Sequence, residues 1–216
     1  FSTTPIKDQG KIEACWIYAY LACIETERIE NFKDSMNPSP IWLVRNLLLE
    51  QASESYLSQG AMPVSVRGIG PDAERLLKKY GMVQWSTYCP DDLNSRALER
   101  IVRQKVKIAI NNRMGLERLN NEVDEALPFI PHNLRNGFYL YSAHYTPKQF
   151  GESLLYGIKF KWLTSYMHHP YGEPFVLEIP DNHRRHAIMN VPVNDMYSQV
   201  INALKNHHPV YWEGQM

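Results

Sequence analysis

The expected fold is decided by the stretch Asp8-Gln9-Gly10-Lys11-Ile12-Glu13-Ala14-Cys15-Trp16, which leads a loop into an apolar run. The run from Cys15 to Ile29 is apolar almost all round at its start and turns polar at Glu25. A helix whose N-terminal half is buried has this pattern. We therefore predict a central helix that begins at Cys15.

The position of Cys15 at a helix start favours a role as a nucleophile. A thiol attacks poorly until it is ionised, and the partial positive charge of a helix N-terminus lowers the cost of the thiolate. Acyl transfer also needs donors for an oxyanion, and the Cys15 N–H and the Gln9 side-chain amide can supply two. The alternative is that Cys15 is a small buried hydrophobic residue and Gln9 an ordinary loop residue.

Composition limits the class of protein. The chain has 216 residues, of which 44% are hydrophobic, and this is enough for one core. We predict one domain over 1–216, with a helical part over about 1–136 and a β-rich part over about 137–216. The 23 basic and 23 acidic residues cancel, so we expect no nucleic-acid partner. The apolar runs are shorter than the roughly 20 residues of a membrane span, so none is expected.

The cysteines and histidines argue against disulfides and metals. Cys15, Cys23 and Cys89 are an odd and sparse set, which does not suit a disulfide framework. We interpret Cys23 and Cys89 as structural thiols. The chain lacks the close Cys/His pairs of a zinc site, so neither a metal nor a cofactor is expected. The first residues carry no signal-peptide pattern, which leaves the compartment open between cytoplasm and export after removal of a signal.

Capping and breaker residues predict further helices in the first half. One starts at Ser39-Pro40 and runs past Leu57 to Gly60. Asp72 to Tyr80 is amphipathic, and Gly81 provides its stop. The stretch from about Leu93 to Ala126 suggests one or two more helices with a break at Met114-Gly115.

From Gly137 onward, aromatic and β-branched runs between prolines and glycines predict strands. The predicted strands are 138–141, 158–165, 174–179 and 209–212. One more helix, capped by Asn194, precedes the last of them. Helices first and strands later indicate an α+β fold.

The glutamine that precedes Cys-Trp by six residues at a helix start resembles the oxyanion and nucleophile motif of papain-like cysteine peptidases. Other segments that follow in order are similar to the bleomycin hydrolase and aminopeptidase C branch. They are Ser39 to Val44, Lys78 to Gly81, Ser165 to Pro170, Pro174 to Asn182, Asn190 to Pro192 and Pro209 to Trp212. Ile12 stands where the papain-type disulfide cysteine would be, which also fits that branch.

The resemblance implies a papain-like fold, incomplete at its C-terminus, that hydrolyses peptide bonds through an acyl-enzyme on Cys15. Gln9 would donate to the oxyanion, and Gly68 would let a peptide substrate's backbone come close. Arg67 occupies the second position of the family's paired glycines, which puts the usual backbone contact in doubt. The branch further suggests aminopeptidase-like trimming and a homo-oligomer.

The general base is harder to assign. In the resembled branch the catalytic histidine and asparagine follow the strand matched by Pro209 to Trp212, so both fall beyond the given sequence. They would come from a further C-terminal part or a second chain, or be absent. Within the sequence, His186-Ala187-Ile188-Met189 imitates the start of the papain histidine strand. His144 lies at a papain-like distance along the chain, but Ser142 to Pro147 has the pattern of a loop.

A second function stays open. Glu13 replaces the small residue usual before the nucleophile, and a nearby carboxylate disfavours a thiolate unless it points to solvent. Together with Arg67 and the unassigned histidine, it favours a catalytically impaired homologue that serves as a peptide-binding or scaffolding module.

Overall fold

Helices dominate the first half of the chain. The structure is a computed structural model, and it describes residues 1–128, 130, 134 and 136–214. The helices here are α1 (Cys15–Glu27), continued by a π-helical turn (Arg28–Phe32), α2 (Pro40–Leu57), α3 (Gly70–Tyr80), α4 (Ser95–Asn111) and α5 (Leu116–Ala126). The predicted helices are therefore confirmed, including the break before Leu116, except that α2 ends at Leu57 and does not continue to Gly60.

Local signals explain where these helices start and stop. The Ser39 side chain accepts a hydrogen bond from the Trp42 N–H, and Pro40 occupies the first helical position, as predicted. Gly81 ends α3 with a φ of +68°, and a Cβ there would lie 2.2 Å from the Pro147 carbonyl oxygen. Only glycine combines that backbone angle with that close approach.

Helix α1 lies at the centre of the core. Its side chains Ile17, Tyr20 and Ile24 are each 0% exposed. They belong to one buried cluster that also takes in α2, α3, α4 and α5. The helix is buried on most sides, and its exposed residues Cys15, Ala19 and Ala22 follow one another on a single face.

The second half combines short strands with two helices. Its elements are β1 (Phe138–Leu140), β2 (Ala143–Tyr145), α6 (Pro147–Leu155), β3 (Leu163–Thr164), β4 (Pro174–Val176), β5 (Ala187–Asn190) and α7 (Val193–Lys205). Strands β1 and β2 are antiparallel. The other sheet has the order β3-β5-β4, with β5 parallel to β3 and antiparallel to β4. The mixed α+β class is confirmed.

Several predictions for the second half were wrong. The stretch 142–147, expected to be a loop, contains β2 and the start of α6. Helix α6 was missed although Thr146 and Gln149 form a capping box. Helix α7 is capped by Pro192 rather than Asn194. The segment 209–212 forms no strand, and the second half is less β-rich than predicted because its strands have only two to four residues.

None of the helices in the described part of the chain has the length and apolar character that a membrane crossing requires. The expectation of a single domain over 1–216 stays a prediction.

Candidate active site

Cys15 is the first residue of α1, and its side chain is exposed. Its N-cap, Ala14, makes no side-chain hydrogen bond to the helix. The N–H groups of a first helical turn have no partner within the helix. The alternative that Cys15 is a buried hydrophobic residue was therefore wrong, and its thiol is presented at the helix N-terminus.

Trp16 fixes the loop that carries Gly68. Its indole is 3% exposed, and Nε1 donates a 2.9 Å hydrogen bond to the Val66 carbonyl oxygen. A Cβ at Gly68 would lie 2.6 Å from Trp16 Cζ2, so the loop backbone rests directly on the ring. The residue after Cys15 thus holds the Gly68 loop, which brings two of the three predicted site residues into one neighbourhood.

Gln9 lies in the loop that precedes α1 and is half-buried. Its main-chain carbonyl oxygen accepts a 3.0 Å hydrogen bond from the Ile12 N–H. The chain turns at Gly10, which has a φ of +56°. Further along, the Lys11 carbonyl accepts from the Ser95 N–H and ties the loop to α4. Among the described residues, none pairs with the Gln9 side chain, so its amide is available as a donor.

Tyr211 lies close enough to Cys15 for the two groups to interact electrostatically, which was not predicted from the sequence. Burial, the neighbouring Glu213 carboxylate and the Cys15 thiol all raise the pKa of its hydroxyl. The Tyr211 ring packs edge-on against the Trp162 ring, with 5.5 Å between the ring centroids. Both rings lie over Gly70 at the start of α3. The segment that the family places before its histidine therefore approaches Cys15 without forming a strand.

The structure does not bring a candidate base to Cys15. His186 Nε2 lies 3.3 Å from Asp72 Oδ1, and its main-chain N–H donates to Asn182. His144 is exposed and packs against the Tyr139 ring at 5.2 Å. Within the described ranges no histidine is hydrogen-bonded to the Cys15 sulfur; residue 132 lies outside them.

Asp72 explains why His186 is held away. Burial acts to raise the pKa of its carboxyl, but hydrogen bonds from His186 and Arg75 and the charge of Arg184 outweigh it and hold the pKa below its usual range. The carboxylate is therefore charged and already paired. His186 Nε2 is therefore hydrogen-bonded to Asp72 rather than to Cys15.

Glu13 points to solvent. Its side chain is half-exposed and pairs with Arg96, with Oε1 3.3 Å from Nε. Its N–H donates to the Ser95 hydroxyl. Because the carboxylate is both solvated and paired, it disfavours a Cys15 thiolate less than its place in the sequence indicates.

Arg67, next to Gly68, reaches across to the second half. Its Nη2 lies 2.9 Å from Asp181 Oδ2, and the Arg67 side chain is 60% exposed. The position that the family fills with glycine thus carries a cation at the rim of the Gly68 loop.

In the described part of the chain, no group of three or more His, Cys, Asp or Glu residues is arranged to hold a metal ion.

No protein-family model matches the chain, and no curated protein matches it significantly. The resemblance to papain-like peptidases therefore rests on the residues quoted above.

Proposed function

We propose that this chain is a papain-like cysteine peptidase that hydrolyses peptide bonds, with aminopeptidase-like action, through the Cys15 thiolate. One observation carries the proposal. An exposed cysteine begins a buried helix, and the residue that follows it, Trp16, holds the Gly68 loop at its side. The proposed nucleophile and the proposed backbone-binding loop are thus linked through one side chain, which supports acyl transfer from a peptide to the thiol.

In the proposed reaction Cys15 Sγ attacks the scissile carbonyl carbon. The oxygen takes up negative charge, for which the Cys15 N–H and the Gln9 amide are the proposed donors. The C–N bond then breaks, and the leaving amine takes a proton. Water attacks the thioester, releases the carboxylate product and regenerates the thiol.

The proton transfers need an imidazole, which we propose comes from a second protein chain. Support comes from α7, on which none of the residues is buried. Val193, Tyr197 and Leu204 are all exposed on it, as is Trp212 beyond it. Exposed apolar side chains of this density are typical of surfaces that another chain covers.

A peptide-binding module without hydrolysis is the second candidate. It is favoured by the hydrogen bond between His186 and Asp72 and by the Arg67 side chain beside Gly68. Such a module would keep the groove and lack the base.

Alkylation of the thiols tests the proposal, but relative rates alone do not. Cys23 is buried, and burial with the nearby Glu27 raises its pKa to about 11. Burial and Asp91 raise the pKa of Cys89 as well. Cys15 will therefore react fastest with iodoacetamide whether or not it is activated.

The pH dependence separates the two functions. Between pH 8 and pH 6 the thiolate fraction of an ordinary cysteine falls about a hundredfold. An activated Cys15 should lose only a few-fold in rate over this range, measured by mass spectrometry beside a short peptide that carries the same Cys-Trp sequence. The measurement is made on the assembly that includes the second chain, and a loss equal to that of the peptide there would contradict the peptidase and leave the binding module.

A further inference from the structure

A pocket opens between the C-terminal part of α2, the loop before Gly68 and the loop between β4 and β5. Its walls include Glu54, Met62, Arg67, Asp181, His183 and Arg184. Arg67 directly precedes Gly68, so the pocket adjoins the loop that rests on Trp16. A peptide that runs along this loop would pass the mouth of the pocket.

The wall formed by the loop between β4 and β5 is held in one conformation by Asn182. This side chain is 6% exposed, and its amide donates to the carbonyl oxygens of Leu177 and His186 at 2.8 and 2.9 Å. Its Oδ1 accepts from the His186 N–H at 2.8 Å. The wall is therefore preformed, which reduces the entropy lost when a ligand binds.

The carboxylates of the pocket are already paired with arginines. Arg184 Nη2 lies 2.8 Å from Glu54 Oε1, and Arg67 Nη2 lies 2.9 Å from Asp181 Oδ2. Asp72, deeper in the wall, is paired with an arginine of its own helix at 2.5 Å. Because each of these carboxylates already has an arginine partner, the pocket is poorly suited to a cation.

Two hydrogen-bonding groups of the pocket have unused capacity. An arginine offers five N–H donors in a planar fork, and Arg67 uses only Nη2 toward the described residues. His183 Nε2 is buried without a hydrogen-bond partner in the described structure. Buried polar atoms nearly always have a partner, and a ligand oxygen that enters the pocket would supply one for the His183 nitrogen.

We infer that this pocket is a subsite for a carboxylate of the substrate, with Arg67 and His183 as its donors. An arginine fork binds a carboxylate with two parallel hydrogen bonds, and it can do so while Asp181 keeps its single contact. The inference rests on the proposed function in one respect, because it takes the Gly68 loop as the place of the peptide backbone. The carboxylate belongs either to an acidic side chain or to a peptide C-terminus.

Binding to the full chain carrying Cys15→Ala tests the inference without hydrolysis. Fluorescence anisotropy is measured with alanine-rich hexapeptide amides that carry a dye on a C-terminal lysine and one Glu at each position in turn, beside matched Gln peptides. Unlabelled peptides with a free C-terminal carboxylate compete in a second arm. We expect about tenfold tighter binding for Glu than for Gln at one position, or for the free carboxylate over its amide.

Variants assign the preference to the pocket. Arg67→Gln and His183→Gln should each remove most of the tenfold difference, whereas Arg67→Lys, which keeps the charge without the fork, should retain part of it. Arg118→Gln is the matched control because that arginine is exposed on α5 and pairs with Glu122. Thermal denaturation of each variant checks that it is folded.

Equal binding of acidic and neutral peptides, a preference that survives Arg67→Gln, or no peptide binding would each overturn the inference. The proposed function fails separately. A chain that prefers acidic peptides but whose Cys15 reacts like an ordinary thiol keeps this subsite and loses the peptidase. A chain with an activated Cys15 and no acidic preference keeps the peptidase and loses this subsite.

Discussion

The two halves of the molecule differ in how far their apolar surface is buried. In the first half, Ile17, Leu43 and Leu76 are 0% exposed and come from three different helices. In the second half, α7 buries none of its residues, and Tyr139 and Trp212 are 77% and 65% exposed. The first half therefore supplies most of the core, to which the second half adds Phe138, Phe150 and Leu154, while α7 and its neighbours present apolar side chains to solvent.

The difference teaches how the second half is held in place. Its attachment is partly apolar, since Phe150 and Leu154 of α6 are 0% exposed in the same core as the first half. It is also partly polar: Trp162 Nε1 donates to Glu74 at 2.8 Å, and Arg184 lies 2.5 Å from Glu50. Hydrogen bonds and ion pairs at partly exposed positions contribute little each and fix geometry more than they add stability. The arrangement around Gly68 and Asp181 therefore depends on a few specific contacts.

The largest effect is expected from Trp16→Ala, which removes a buried side chain of the first half directly after Cys15. Loss of the buried indole and of its hydrogen bond to Val66 should cost about 3–5 kcal/mol, measured by urea denaturation. Trp212→Ala removes an exposed indole and should cost less than about 1 kcal/mol. Similar losses for the two variants would contradict the contrast between the halves.

Gly68→Ala tests the contact between the loop and the Trp16 ring. The new Cβ would lie 2.6 Å from the indole, and the repacking should cost about 1–3 kcal/mol. In the Trp16→Phe background the shorter ring leaves room, so the same change should cost distinctly less. Additive losses in the double mutant would show that Gly68 does not rest on this ring.

Arg184→Gln should loosen the second half selectively. Its ion pairs with Glu50 and Glu54 are partly buried, so we expect a loss of about 1–2 kcal/mol of local stability. Hydrogen exchange should speed up in residues 177–186 and stay unchanged in α1. The exposed pair of Arg118 with Glu122 provides the control, for which Arg118→Gln should change stability by less than about 0.5 kcal/mol. Faster exchange throughout the chain would contradict a local role.

The smallest effect is expected from acid, which should weaken the ion pairs that attach the second half. The free energy of unfolding should fall by an amount on the order of 1 kcal/mol. Burial acts to raise the pKa values of Asp72 and Glu50, but hydrogen bonds and arginines outweigh it and lower both. A carboxyl group whose pKa is lower in the folded state stabilises the fold at pH values above its pKa in the unfolded chain. This stabilisation is lost as the pH falls through the pKa of the folded state. The loss should therefore develop below about pH 4.

Asp72→Asn gives the matched comparison for this acid effect. It should show a smaller loss of stability between pH 5 and pH 3 than the unchanged chain, measured by urea denaturation at each pH. Glu25, whose pKa is raised by burial, acts in the opposite direction and is common to both proteins. Identical pH profiles would place the acid sensitivity elsewhere.

The elements of the first half were predictable because their signals are local. Ser39-Pro40, Gly81 and the break before Leu116 each act within one helical turn, and the structure has helix boundaries at all three. The second half was predicted less well because its strands are too short for a clear alternation of side chains. Helix α6 had a readable capping box at Thr146, which the proline and glycine pattern obscured.

Part of the candidate site followed from sequence in the same way. The helix start at Cys15 is a local property, since it depends on an apolar run that begins there. Its exposure was not determined locally, because a cysteine at a helix start can equally be buried by a neighbouring element. The electrostatic interaction of Tyr211 with Cys15 could not be predicted from the sequence.

The sequence by itself determined where the helices begin and which residue stands first in α1. Tertiary structure alone decided the partners: Trp16 with Val66, 50 residues away, and Arg67 with Asp181 and His186 with Asp72, each 114 residues apart. The physical reason is range. Capping and periodicity act over a few residues, whereas a hydrogen bond between distant segments exists only once the core has brought their backbones together.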